Sequence, residues 1–206
     1  MAAEESYRLL GIDPGTNYMG YGVVEISRGE VRGVEMGVLD IHRLDDPYLK
    51  LKRIFDRVVE LVDEFAPQEV ALESPFFGEN VQSMLKLGRA QGVAMAAALS
   101  RQVDVFEYAP TKVKLAVTGR GSASKEELAA MVGAITGLDV KLSRLDATDA
   151  VAVAICHYLS TSTSRRGVDL GAKSKGLGGG RKSLSRSGSK SWEQFVKENP
   201  GRELKK

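Results

Sequence analysis

The spacing of apolar residues changes period near residue 48. Before it, three runs rich in Val, Ile and Leu, Tyr7 to Asp13, Gly20 to Ile26 and Val31 to Ile41, read as strands of an early antiparallel meander, the first two separated by a Gly and Asn turn region. After it, Leu51, Ile54, Phe55, Val58, Val62 and Phe65 recur at helical spacing until Pro67 stops them. Glu69 to Glu73 predicts a fourth short strand, Val81 to Leu99 a long helix containing Gly88 and Gly92, and Val103 to Tyr108 a fifth strand. Ser124-Lys125-Glu126-Glu127 has the form of a capping box ahead of Leu128, Met131, Val132 and Ile135, and a last helix runs from Asp146 to Leu159. Three strands followed by alternating helices and strands predict an α/β fold, a mixed five-stranded sheet flanked by helices.

On this framework, carboxylates fall at the ends of apolar runs. Asp13 closes Leu9-Leu10-Gly11-Ile12 and Glu73 closes Val70-Ala71-Leu72, while Asp146 and Asp149 stand ahead of Ala150, Val151, Val153, Ala154 and Ile155. Each has an ordinary explanation: a turn at Asp13-Pro14-Gly15, a solvated strand end at Glu73, a helix cap at Asp146. Asp149 is harder to dismiss. It lies three residues past Asp146 on the same helical face, inside an apolar helix, and a buried carboxylate costs several kcal/mol unless a cation, a partner or a proton compensates it. Two like charges 4 Å apart repel by about 4 kcal/mol at an effective dielectric near 20, so convergence of all four acids points to divalent-metal chemistry on a phosphate.

Composition narrows the setting. The chain has 206 residues, 43% hydrophobic and 27% charged, which predicts one globular domain over residues 1–160 and a tail over 161–206. No apolar run is long enough to span a bilayer, and the start Met1-Ala2-Ala3-Glu4-Glu5 is acidic where a targeting peptide is basic, so an intracellular, cytoplasmic location is expected. The single cysteine, Cys156, reads as a small core residue, and two histidines, His42 and His157, give no zinc pattern. Residues 1–160 carry 17 Lys and Arg against 23 Asp and Glu, whereas residues 161–206 carry 12 against 4. The positive charge is therefore concentrated in a Ser-, Gly- and Lys-rich tail, expected to be disordered and suited either to nucleic-acid attraction or to solubility. Within it, Ser191-Trp192-Glu193-Gln194-Phe195-Val196 has the character of a short partner-binding helix.

From Tyr7 to Leu159 the chain resembles the RuvC family of Holliday junction resolvases, in the RNase H-like superfamily. The resemblance rests on Gly11-Ile12-Asp13-Pro14-Gly15, Glu73 with Phe76, Asn80, Leu85-Lys86-Leu87-Gly88, Glu107-Tyr108-Ala109-Pro110 with Val113-Lys114, Gly119-Arg120-Gly121 with Lys125, and Asp146-Ala147-Thr148-Asp149-Ala150 leading to Cys156-His157. It implies an RNase H-like fold and a homodimeric endonuclease that nicks opposed strands of a four-way DNA junction, working beside the RuvA–RuvB branch-migration complex. It implies Asp13, Glu73, Asp146 and Asp149 as catalytic ligands of two Mg²⁺ ions, with Mn²⁺ as a substitute, one ion activating water and the other stabilising the leaving 3′ oxygen. Phe76 matches an aromatic that stacks on an unpaired base, Lys114 and Lys125 match phosphate-binding residues, and Arg120 is a further basic loop candidate. Core packing for Phe76 and solvated surface lysines are the competing readings.

Three positions depart from the family pattern. Many relatives read Leu-Gly-Gln-Ala-Arg-Gly where this chain has Leu87-Gly88-Arg89-Ala90-Gln91-Gly92, moving the guanidinium to another helical face. Glu79 precedes Asn80 where relatives often carry a basic residue. Competing functions are an actin-like ATPase or sugar kinase, for which the chain is too short and lacks a second phosphate loop, a non-catalytic junction-binding module, and an RNase H-like nuclease acting on another branched DNA or on RNA.

Overall fold

A computed structural model describes residues 6–74, 80–140 and 145–165. The elements are β1 (Tyr7–Asp13), β2 (Tyr18–Ser27), β3 (Glu30–Asp40), α1 (Pro47–Phe65), β4 (Glu69–Glu73), α2 (Val81–Ser100), β5 (Asp104–Tyr108), α3 (Pro110–Thr118), α4 (Lys125–Thr136) and α5 (Leu145–Arg165). They build the expected mixed five-stranded sheet, in the order β3-β2-β1-β4-β5. The β1–β2 and β2–β3 pairs are antiparallel, and β4 runs parallel to both β1 and β5.

Strand alternation sends side chains to two separate cores. Leu10, Ile12, Val23, Val70 and Leu72 meet Ile54, Val58 and Leu61 of α1 and the alanine face of α2. Leu9, Val24 and Ala71 meet α5, with Val113 and Val117 of α3 and Leu128 and Val132 of α4 enclosing its far side. Fully burying each Leu, Ile or Val contributes about 1.5–3 kcal/mol, so the helices are held chiefly by these two layers. Ala150 through His157 are buried without interruption, because α5 is enclosed between the sheet and α3 with α4.

Glycines set the depth of that enclosure. A methyl group added at Gly11 would collide with the carbonyl oxygen of Ala150, and one at Gly20 with that of Asp146. The strands therefore present bare backbone under the start of α5, and the helix rests closer to the sheet than any side chain would allow.

Three features differ from the sequence reading. Helix α3 is absent from it. This helix has nine residues, only Val113 and Val117 of its face are buried, and it starts on Pro110 without a side-chain cap, so its periodic signal is weak; Gly119, at φ 76°, ends it. Strand β2 starts at Tyr18, where its ladder with β3 extends to Asp40. Helix α5 continues to Arg165, five residues past the expected domain boundary, with the Thr161 hydroxyl bonding back to the His157 carbonyl at 3.0 Å. The expectation of a disordered tail otherwise concerns residues 166–206, outside the described residues. Cys156 is buried in the α5 core, as expected. Among the described residues, no helix is long and apolar enough to cross a membrane.

Candidate active site

Parallel pairing brings the first two acids together. Ile12 is in register with Leu72, so Asp13 and Glu73, each the next residue, leave adjacent strands at the same end. Both follow the alternation of Leu9 and Ala71 and so face α5. Asp146 lies inside the first turn of α5 rather than capping it, and Asp149, one turn on, is 8% exposed. Asp13, Asp146 and Asp149 each offer a carboxylate oxygen within 4.8 Å of the others.

Glu73 stands outside that trio but shares its field. Burial, then the charge of Asp149, pushes its carboxyl up to about 7, with Lys125 and Lys114 opposing. Asp13 is held well above the ordinary carboxylate range by burial, then by Glu73, Asp149 and Asp146, with Lys125 in opposition. The four acids are one electrostatic unit in which positive charge is scarce.

The nearest cation is positioned by the capping box. The Ser124 hydroxyl accepts from the Glu127 amide at 3.2 Å and Glu127 accepts from the Ser124 amide at 2.9 Å, which fixes the start of α4 at Lys125. The Lys125 ammonium donates to Asp149 Oδ2 at 2.7 Å. Burial works against that charge, but the bond to Asp149 and the fields of Asp13 and Asp146 outweigh it and raise the Lys125 pKa. Lys114, on α3, acts on Glu73 through its field alone. The Arg120 guanidinium is bonded to Glu127 of the capping box at 2.6 Å. Phe76 and Glu79 lie outside the described residues.

A cleft of about 170 Å³ opens beside the acids, lined by Asp13, Pro14, Glu73, Ser74, Leu87, Gln91 and Pro110. Gln91, 8% exposed, donates to Glu107 Oε1 at 2.5 Å and forms part of the wall, whereas Arg89 borders a separate groove. The two positions do face differently, as the helical offset requires. Further along α5, the wholly buried His157 bonds Tyr108 through Nδ1 at 2.7 Å and Glu69 through Nε2 at 2.8 Å. These contacts tie α5 to β5 and to β4, the strand that carries Glu73. Sequence reasoning missed this tie and the glycine seats; the only advance signals were Glu69 on the same strand face as Glu73 and glycines at alternate strand positions.

The donor set is entirely carboxylate oxygen, which suits hard divalent cations, and the upward-shifted acids fit a site whose charge a cation would balance.

Comparison with known proteins agrees with this architecture. The family model described as "Crossover junction endodeoxyribonuclease RuvC" matches residues 9–157. Proteins of that name from Cytophaga hutchinsonii and Porphyromonas gingivalis are each 47% identical to this chain, over 192 and 194 residues. Those matches cover 93% of this chain in both cases, and 86% and 94% of the respective relatives. Among solved structures, Thermus thermophilus RuvC in complex with a Holliday junction substrate superposes with a TM-score of 0.71 at 33% identity, covering 77% of this chain and 96% of that one.

Proposed function

Because the chain belongs to the RuvC family of crossover junction endodeoxyribonucleases, we propose that it resolves four-way DNA junctions by divalent-metal-dependent hydrolysis of opposed strands in recombination and repair. The observation that carries this reading is the convergence of Asp13, Asp146 and Asp149, with Glu73 in their field, at the ends of β1, β4 and α5. Such a set suits two Mg²⁺ ions, with Mn²⁺ as a substitute, which when bound supply Lewis acidity toward a scissile phosphate and its attacking water.

The chain's own residues do the rest. Gly11 and Gly20 let α5 descend until its two aspartates reach Asp13. Lys125, held by Asp149 and half-exposed, presents a cation where a phosphate would approach, and Lys114 adds a second whose field reaches Glu73. Phe76 remains the candidate for stacking on an unpaired base, and Arg120, paired with Glu127 but largely exposed, remains a further basic loop candidate. The partners read for this chain are four-way junction DNA, a second copy of itself and, from family membership, the RuvA–RuvB branch-migration complex in the cytoplasm. Homodimer formation has support on α2, where Val81, Leu85 and Leu99 are exposed on one face beside the open surfaces of Gly88 and Gly92.

Incubation with a synthetic mobile four-way junction and Mg²⁺ tests the reading. Paired symmetric nicks are expected, falling about 100-fold or more in Asp13→Asn, with junction binding retained. Leu85→Glu is expected to sediment as a monomer and to lose the pairing of nicks. Unpaired or absent nicks in the native protein, preference for RNA or another branched DNA, or full activity of Asp13→Asn would overturn it.

A further inference from the structure

A second groove lies between the N-terminal halves of α1 and α2, larger than the cleft at the acids and sharing its Leu87 wall. It is bordered by Thr16 and Asn17, which follow the Asp13-Pro14 turn directly, and by the cations Lys50, Lys86 and Arg89, with Asp45 as its acid. Asn17 and Lys50 are joined, the ammonium donating to the Asn17 side-chain oxygen at 2.8 Å. This link ties the loop leaving β1 to the first turn of α1. Tyr48, 76% exposed, stands at the rim. Residues 1–160 are net acidic, so three cations against one acid in a single depression run counter to the domain's average.

We propose that this groove holds the sugar–phosphate backbone of the junction strand as it leaves the acidic site. Lys86 and Arg89 contact successive phosphates, Lys50 is held ready by Asn17, and the Tyr48 ring supports a base or sugar at the edge. A polyanion explains the arrangement better than a small ligand does. The cations are spread along two helices rather than converging on one point, and the groove adjoins the acidic cleft across the shared Leu87 wall. The inference rests on the junction-resolving reading and adds to it a binding track separate from the carboxylates, Lys114 and Lys125.

The test uses the full-length protein and compares Lys86→Gln/Arg89→Gln with a control pair, Lys52→Gln/Arg32→Gln, which removes equal charge outside the groove. Junction binding is measured without divalent metal across a salt series, and single-turnover cleavage is measured with Mg²⁺ at saturating protein. The groove pair is expected to bind more weakly, with the slope of log affinity against log salt shallower by about 1.8, the value for two duplex phosphates no longer neutralised. Its cleavage rate at saturation is expected to stay within about twofold of the native protein, because ground-state binding alone has been removed. Equal slopes for the native protein and the groove pair, or an equal fall in the control pair, would overturn the proposal. Failure of the native protein to bind a junction more tightly than linear duplex would instead overturn the functional reading beneath it. All four positions are exposed or half-exposed, and unchanged melting temperatures establish that the variants fold.

Discussion

Glu73 carries a carboxyl whose ordinary value of 4.5 is pushed up to about 7 by burial and by Asp149. The folded chain therefore holds that proton more tightly than the unfolded one, and proton binding favours folding. This contribution is complete below about 4.5 and is lost as pH rises through 7. Asp13, raised by burial and three neighbouring acids, acts in the same direction. Without divalent metal, stability is thus expected to fall between pH 5 and pH 8. Glu73→Gln, which is neutral throughout, is expected to flatten that fall and to stabilise the metal-free protein at pH 8 by about 1–2 kcal/mol, a value reduced for partial solvent screening. Cleavage by the same variant is expected to drop by about 100-fold or more. Thermal melts at the two pH values, with and without Mg²⁺, check both halves. A site that binds Mg²⁺ stabilises the native protein at pH 8 and much less at pH 5, where Glu73 and Asp13 hold their protons more tightly; melting points indifferent to pH and metal would remove the electrostatic account of the site.

At the scale of elements, the site depends on how close α5 lies to β1 and β2. A methyl at Gly11 meets both the Ala150 carbonyl oxygen and the Ala154 methyl, one backbone and one packed, so neither gives way cheaply. Gly11→Ala is expected to cost about 1–3 kcal/mol through overpacking, and to weaken Mg²⁺ binding because α5 lifts and carries Asp146 and Asp149 away from Asp13. Chemical denaturation and metal titration of this variant check the two effects, and loss of stability with unchanged metal affinity would mean the helix does not set the site's geometry. The same elements show what was legible in the chain. Strong periodic segments such as α1 and the apolar strands announced themselves, and the RNase H-like resolvase motifs supplied the order in which the acids meet. Asp149 stood out through energetics alone, as a charge inside an apolar helix. By contrast, α3 lacked a visible stripe, Arg120 was claimed by Glu127, and the His157 tie to Glu69 and Tyr108 joins residues 88 and 49 positions apart. Pairings over such separations leave no local pattern to read.

For the molecule as a whole, charge is divided along the chain. The globular part is net acidic and gathers Asp13, Asp146 and Asp149 with Glu73 at the candidate site, so approach of a polyanion calls for cations beyond Lys114 and Lys125. Residues 166–206 hold 11 Lys and Arg against 4 Asp and Glu. We propose that this segment supplies sequence-independent attraction to DNA by releasing counterions, leaving cleavage geometry to the folded domain. Because α5 runs to Arg165 and its buried face packs against the sheet, the informative truncation removes 166–206 and spares the helix. The shortened protein is expected to bind a junction more weakly at low salt, with a salt slope shallower by about 0.9 for each phosphate no longer neutralised. It is expected to cleave at an unchanged single-turnover rate once saturated, because the acids, Lys125 and the glycine seats of α5 are all retained. An unaltered slope would assign the tail to solubility or to a protein partner. A loss of cleavage at saturation would mean instead that the segment reaches the reacting strand, a role that charge alone does not provide.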